Sequence, residues 1–248
     1  MRLRRGAPMI GTVTARARLG DLLRWTRARL GLARPRGRDW HRRGVGGRWD
    51  VVGPLQFEFL IRQGMEPQDR LLDVGCGSLR GGVHAIAYLE PGHYFGIEKE
   101  ASLLAAGREV ELTRARLTDR NPHLHVSGTF DVDWIPAHIQ FEYALAQSLL
   151  THLRPGLISL CFEQVLPRLT PDGVFFATFF ECPDGEDSLG PSHGWRADEL
   201  QHPRYSLGTI TRLARDAGGT VEYIGSWGHP RDQRMIAVRR AEEAHDSP

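Results

Sequence analysis

"RLLDVGCGSLRGG", residues 70–82, decides how this chain is read. The apolar pair Leu71 and Leu72 runs into the acid Asp73, and Gly75, Gly77, Gly81 and Gly82 follow at once. An apolar run bounded by glycines reads as a buried strand that enters a tight turn. The overlapping "SLRGGVHAIAYL", residues 78–89, reads as a helix despite its glycines, ended at Pro91 and Gly92. In open α/β sheets, ligands bind beyond the carboxyl ends of the strands, where this turn falls. Gly75 and Gly77 let the backbone approach a ligand with no Cβ in the way.

The alternation continues outward. "PLQFEFLIRQG" before the turn is a short helix with Phe57, Leu60 and Ile61 on one face. "HYFGIE", "HLHVSG", "QFEYALAQS" and "GVFFATFFE" are strands, separated by the helical stretches "ASLLAAGREVELTRARL" and "GLISLCFEQVLPRL". A further helix, "SLGTITRLARDAG", precedes two final strands, "TVEYIGSW" and "RMIAVRR". Strands alternating with helices imply a mostly parallel sheet covered on both faces. The last two strands have no room for a crossover helix, so they pair antiparallel.

Two nucleotide readings compete for the turn. A dinucleotide loop needs G-x-G-x-x-G, so that a pyrophosphate rests on the helix N-terminus. Here the pattern is G-x-G-x-x-R, with Arg80 in the third position, and Asp73 would crowd a pyrophosphate. An acid suits a ligand with a cationic end. Glu98, at the end of the second strand, is placed to accept both hydroxyls of a ribose.

These residues carry a resemblance. "LLDVGCGSLRGG" resembles motif I of the class I S-adenosylmethionine-dependent methyltransferases, and "YFGIEKE" resembles their motif II. "FEYALAQSLLTHL" and "LPRLTPDGVFFATFF" are similar to their motif IV and to the turn before their fifth strand. The resemblance spans about residues 52–240. It implies a Rossmann-like α/β fold: a seven-stranded, mostly parallel sheet with an antiparallel last strand, here following a basic N-terminal arm. It implies S-adenosyl-L-methionine as cofactor, with Asp73, Gly75, Cys76 and Gly77 at the methionine part and Glu98 at the ribose. Gln147, with Ala146 and Ser148 beside it, would line the cofactor, and Phe130 or Asp131 would cover the adenine. Leu79 stands where the family motif often has glycine.

Charge separates the chain in two. Fourteen arginines and only Asp21 and Asp39 precede Asp50, so residues 1–49 carry +12 and the remainder −10. We read 1–48 as a basic arm and linker and 49–248 as the catalytic body. Within the arm, Leu19, Leu22, Leu23, Thr26 and Leu30 share a face of a helix expected over 15–32. Such a helix can bind a membrane surface or a protein, or pack on its own domain. The acidic body argues against broad nucleic-acid binding and favours a small-molecule or glycan-like acceptor. Three cysteines without a CxxC pair, and no apolar run of spanning length, point to a reducing, cytoplasmic setting.

The acceptor side is the less specific part. His152, just past the fourth strand, and His193 are the candidate general bases for O-methylation. The stretch 181–205 follows the fifth strand and is long enough to fold over a pocket, with Glu181, His193, His202 and Tyr205 as candidate contacts. Their spacing fits no metal-ligand motif, so no metal is expected. A methyltransferase acting on a macromolecule, or a ligand-binding protein of the same fold without chemistry, are the alternatives.

Overall fold

The computed structural model describes residues 37, 39–189 and 202–241. The helix expected over 15–32 and His193 lie outside them. The unit that begins at His41 contains the sheet. No helix among the described residues is long and apolar enough to cross a membrane.

The elements are α1 (Trp40–Gly44), α2 (Trp49–Arg62), β1 (Leu71–Val74), α3 (Gly82–Tyr88), β2 (Tyr94–Glu98), α4 (Ala101–Ala106), α5 (Leu112–Ala115), β3 (His123–Val126), β4 (Phe141–Ala146), α6 (Pro155–Val165), β5 (Leu169–Phe179), α7 (Leu207–Asp216), β6 (Gly219–Ser226) and β7 (Arg234–Arg240). A π-turn, Gly107–Glu111, joins α4 to α5. The seven strands form one sheet in the order β3-β2-β1-β4-β5-β7-β6. The first five run parallel. β7 inserts antiparallel between β5 and β6. The strand order reverses between β1 and its neighbours β2 and β4, which places a crevice beyond the ends of those strands.

Side-chain alternation explains the two cores. From β1, Leu72 and Val74 face a layer with Phe162 and Val165 of α6 and Ile210 of α7. Leu71 faces the other layer, with Phe59 and Leu60 of α2 and Ala85 and Ile86 of α3. There Phe59 meets Phe176 of β5 edge-to-face at 4.9 Å. Each fully buried side chain of this size contributes about 1.5–3 kcal/mol.

Several boundaries differ from the sequence reading. α2 begins at Trp49 and runs through Pro54, because Val52 is buried and Gly53 presses against the Arg80 carbonyl, where a Cβ would come within 2.5 Å. α3 begins at Gly82, since Leu79 turns left-handed at φ +69 and breaks the helical path. Residues 40–47, expected as linker, include α1, and from His41 onward they pack on the glycine turn.

Candidate active site

The turn after β1 is tied to β2 at every step. Gly75 and Cys76 both donate their N–H to the Ile97 carbonyl, at 2.8 and 3.0 Å. Gly75 and Gly77 sit at φ +78 and +58, conformations that glycine adopts without strain. The Glu98 carboxylate closes the loop: Oε2 accepts the Gly77 N–H at 3.0 Å and Oε1 accepts the Glu100 N–H at 2.9 Å. Burial raises the Glu98 pKa, and these two bonds oppose it. Each oxygen keeps a lone pair for a further donor. Asp73 is buried and accepts the Tyr94 hydroxyl at 2.6 Å. Burial is the main cause that lifts its carboxyl to about 6; Tyr94 and Arg80 pull the other way.

Cys76 is buried in the turn, and burial, then Asp73 and Glu98, drive its thiol well above the ordinary range. It fills space beside Gly96, where a Cβ would lie 2.9 Å from its sulfur. Asp131 acts locally: its Oδ1 accepts the Asp133 N–H at 2.8 Å. Phe130 is buried in the core at φ +59.

A strap of residues 41–48 crosses the turn. Val45 lies directly over Gly77; a Cβ there would be 2.5 Å from Val45 Cγ1. Ser78 Oγ donates to the His41 carbonyl at 3.4 Å. Arg80 Nη1 donates to the carbonyls of Val45 and Gly47, at 2.7 and 3.0 Å, and Arg231 Nη2 to that of Gly46 at 3.0 Å. At the other end, Arg42 forks onto buried Glu111 at 2.8 and 2.7 Å, and His41 Nε2 lies 2.5 Å from the same carboxylate. Burial alone would raise Glu111; Arg42, His41 and Arg114 outweigh it and hold its carboxyl below the usual range.

Gln147, at the end of β4, is the hub of a polar network. Its Oε1 accepts from Gln56 at 2.9 Å and from Arg80 Nη2 at 2.6 Å. Its Nε2 donates to Ser148 Oγ at 2.5 Å and lies 3.2 Å from His229 Nε2. Gln233 Oε1 gathers the hydroxyls of Ser148 and Thr178, at 3.0 and 2.9 Å. Desolvation, then Arg80, Arg231 and Arg48, push the His229 imidazole down to about 4.

The residues expected to face an acceptor lie off β4 and β5. His152 meets His202 edge-on at 4.8 Å, and His202 meets Phe180 at 5.3 Å. His152 is exposed. Desolvation by its surroundings, then His202, Lys99 and Arg231, bring its imidazole down to about 4, so it is neutral at pH 7. A neutral imidazole can accept a proton. A cleft of about 580 Å³ opens off the end of β5, lined by Phe180, Glu181, Asp184, Arg204, Arg231 and Arg234.

Two expected contacts are otherwise engaged. Tyr205 is fully buried and its hydroxyl donates to the Leu153 carbonyl at 2.6 Å, so it serves the core. Glu181 accepts the Tyr223 hydroxyl at 2.6 Å and pairs with Arg234 at 3.4 Å, at the cleft wall. The residues missed by sequence reasoning are Gln56, Arg80, His229, Arg231 and Gln233. Arg80 had a visible signal, since it stands where a dinucleotide loop has its third glycine. The others come from α2 and from the turn between β6 and β7, far from any motif.

No family model matches the chain. Solved structures match its fold. The pyocyanin biosynthetic protein PhzM superposes with a TM-score of 0.59 at 18% identity, over 83% of this chain and 60% of PhzM, so this chain spans less than two thirds of that protein. The CcbJ methyltransferase from Streptomyces caelestis gives 0.58 at 13% identity, over 76% of this chain and 89% of its own. Magnesium protoporphyrin IX methyltransferase from Synechocystis, solved with bound S-adenosylmethionine, gives 0.54 at 13% identity, over 77% and 81%. With its glycine turn, its acid at the end of β2 and its reversed β7, the chain has the class I S-adenosylmethionine-dependent methyltransferase fold.

Proposed function

We propose that this protein is an S-adenosylmethionine-dependent methyltransferase acting on a polar small-molecule or glycan-like acceptor, with a hydroxyl oxygen as nucleophile. The observation that carries the reading is the bond between Glu98 and the Gly77 N–H, which couples the glycine turn to an acid with lone pairs to spare. A ribose needs two acceptors at that place, and a close backbone needs residues without Cβ. Asp73, on the methionine side of the turn, offers a negative charge to an ammonium.

The cofactor would supply an electrophilic methyl group on a sulfonium, which is already a good leaving group. The chain's own part is to hold the acceptor in line, and such positioning is worth about 7–11 kcal/mol. By position, past the end of β4 with His202 edge-on beside it, His152 is the candidate to take the proton of the acceptor hydroxyl. Three arginines, Arg204, Arg231 and Arg234, among the cleft walls support an acceptor that carries polar or charged groups.

The test has two stages. Calorimetry with S-adenosylmethionine and S-adenosylhomocysteine measures binding. Transfer of a radiolabelled methyl group into fractions of host extract, separated by size and polarity, measures turnover. Binding without transfer into any fraction would leave a ligand-binding protein of this fold, and label in a macromolecular fraction would replace the small acceptor.

A further inference from the structure

We propose that the cleft at the end of β5 takes an acceptor bearing an anionic group, a carboxylate or a phosphate, which Arg204 and Arg231 hold beside the His152–His202 pair; this names the acceptor class of the methyltransferase reading above and rests on it. The cleft, of about 580 Å³, has three arginines and three acids on its walls. Those charges cancel in number. The selectivity lies in which of them are already engaged.

The acids are engaged. Glu181 accepts the Tyr223 hydroxyl at 2.6 Å and pairs with Arg234 Nε at 3.4 Å. Asp232 takes the other end of the same guanidinium, Nη1 at 3.1 Å and Nη2 at 3.3 Å. Asp184 Oδ1 lies 3.1 Å from the point where a Cβ on Gly208 would stand, at the amino end of α7. The partial positive charge of that helix end suits a carboxylate.

The other two arginines are not engaged by charge. Arg204 and Ser188 exchange backbone N–H···O bonds at 2.7 and 2.9 Å, which pins the segment. The Arg204 guanidinium lies over the Phe180 ring, 5.5 Å from its centroid, and Nη1 donates to the Glu181 carbonyl at 3.2 Å. Arg231 comes from the turn between β6 and β7, and its Nη2 donates to the Gly46 carbonyl at 3.0 Å. A guanidinium has five N–H donors in a fixed fork. Each of these two uses one printed bond on a neutral carbonyl, and among the described residues neither meets a carboxylate. Both are exposed, so they stay charged, and a concave wall concentrates their field. Carboxylate and phosphate oxygens fit such forks with two parallel bonds.

The same two charges reach the candidate base. Arg231 acts across space on His152 and His202, and Arg204 acts on His202. Ring contacts link them: Phe180, under Arg204, meets His202 at 5.3 Å, and His202 meets His152 at 4.8 Å. An acceptor gripped by its anionic group at the arginines therefore has its hydroxyls beside the histidine pair.

The experiment uses the full chain saturated with S-adenosylhomocysteine and titrates three sugars by calorimetry at fixed ionic strength: glucose, glucuronate, and glucose phosphorylated at its primary hydroxyl. At least one charged sugar should bind at least about tenfold more tightly than glucose, and which one does so separates carboxylate from phosphate. Arg204→Gln and Arg231→Gln should each cut that preference about tenfold. Arg62→Gln, at an exposed position of α2, removes the same net charge and should leave the preference within about twofold. S-adenosylhomocysteine affinity reports whether each variant is folded. Equal binding of the three sugars, binding of none, a preference that survives both cleft variants, or an equal cut in Arg62→Gln overturns the proposal while the methyltransferase reading stands. A parent chain that does not bind S-adenosylhomocysteine overturns that reading and the proposal with it.

Discussion

Replacing Gly77 with alanine tests the strap and the glycine turn together. Two costs add. Alanine at φ +58 carries left-handed strain of about 1–2 kcal/mol. Its Cβ would stand 2.5 Å from Val45 Cγ1, an overlap that overpacking data price at about 1–3 kcal/mol. The single variant should therefore lose about 2–5 kcal/mol, or about 4–20 °C in Tm for a chain of this size. Val45→Ala removes the overlapping methyl, and the next atom, Val45 Cβ, lies at an ordinary 3.5 Å. In that background Gly77→Ala should lose only the backbone part, about 1–2 kcal/mol. Thermal or denaturant melting of the four proteins closes the cycle, with an expected coupling of about 1–3 kcal/mol. Additive losses, within about 0.5 kcal/mol, would refute the placement of Val45 over the turn.

Other outcomes follow from the same geometry. Glu98→Gln faces an amide N–H₂ toward Gly77 or Glu100 and should weaken S-adenosylhomocysteine binding about 10- to 150-fold, read by calorimetry; unchanged affinity would remove Glu98 from the site. Asp73, held up to about 6, should be protonated below that pH, so affinity for S-adenosylhomocysteine should fall as pH drops through 6 in the parent and stay flat in Asp73→Asn. Glu111 has a depressed pKa, so its stabilisation is present above the ordinary carboxylate range and is lost as pH falls through its folded value. The stability gap between the parent and Glu111→Gln should accordingly be wide at pH 7 and narrow under acid. A chain starting at His41 should melt like the full chain, whereas one starting at Trp49 loses the His41 and Arg42 grip on Glu111 and should melt lower.

What could be read in the sequence was local. The glycine turn, Glu98 at the end of β2 and the paired final strands each announce themselves within a few residues, through glycine, apolar runs and the lack of crossover length. What could not be read depends on distant partners. Residues 41–47 look like a linker because glycine and arginine dominate them, and their anchors, Arg80 and Glu111, lie 33 to 70 residues away. Pro54 suggested a helix start, but packing of Val52 and Gly53 carried the helix back to Trp49. Leu79 is a finer case. A left-handed leucine is unfavourable alone, and its complete burial between α3 and the π-turn offsets the strain.

The π-turn Gly107–Glu111 has a consequence for how this protein tolerates length changes. Such a turn holds one residue more than the α-helical path around it. At its start Gly107 presses on Leu79 and Ser78, and at its end Glu111 reaches the strap. Deleting one residue of 107–110 would return the segment to α-geometry and leave everything beyond it close to its present phase, because the turn holds a residue that the α-helical path does not need. Glu111 and the buried Leu112 would keep their surroundings, and the anchor of the strap would stay beside Arg42. A one-residue deletion within 107–110 should therefore be tolerated better than one in the regular turns of α2 or α6, and the exposed turn around Gly185 should accept insertions freely.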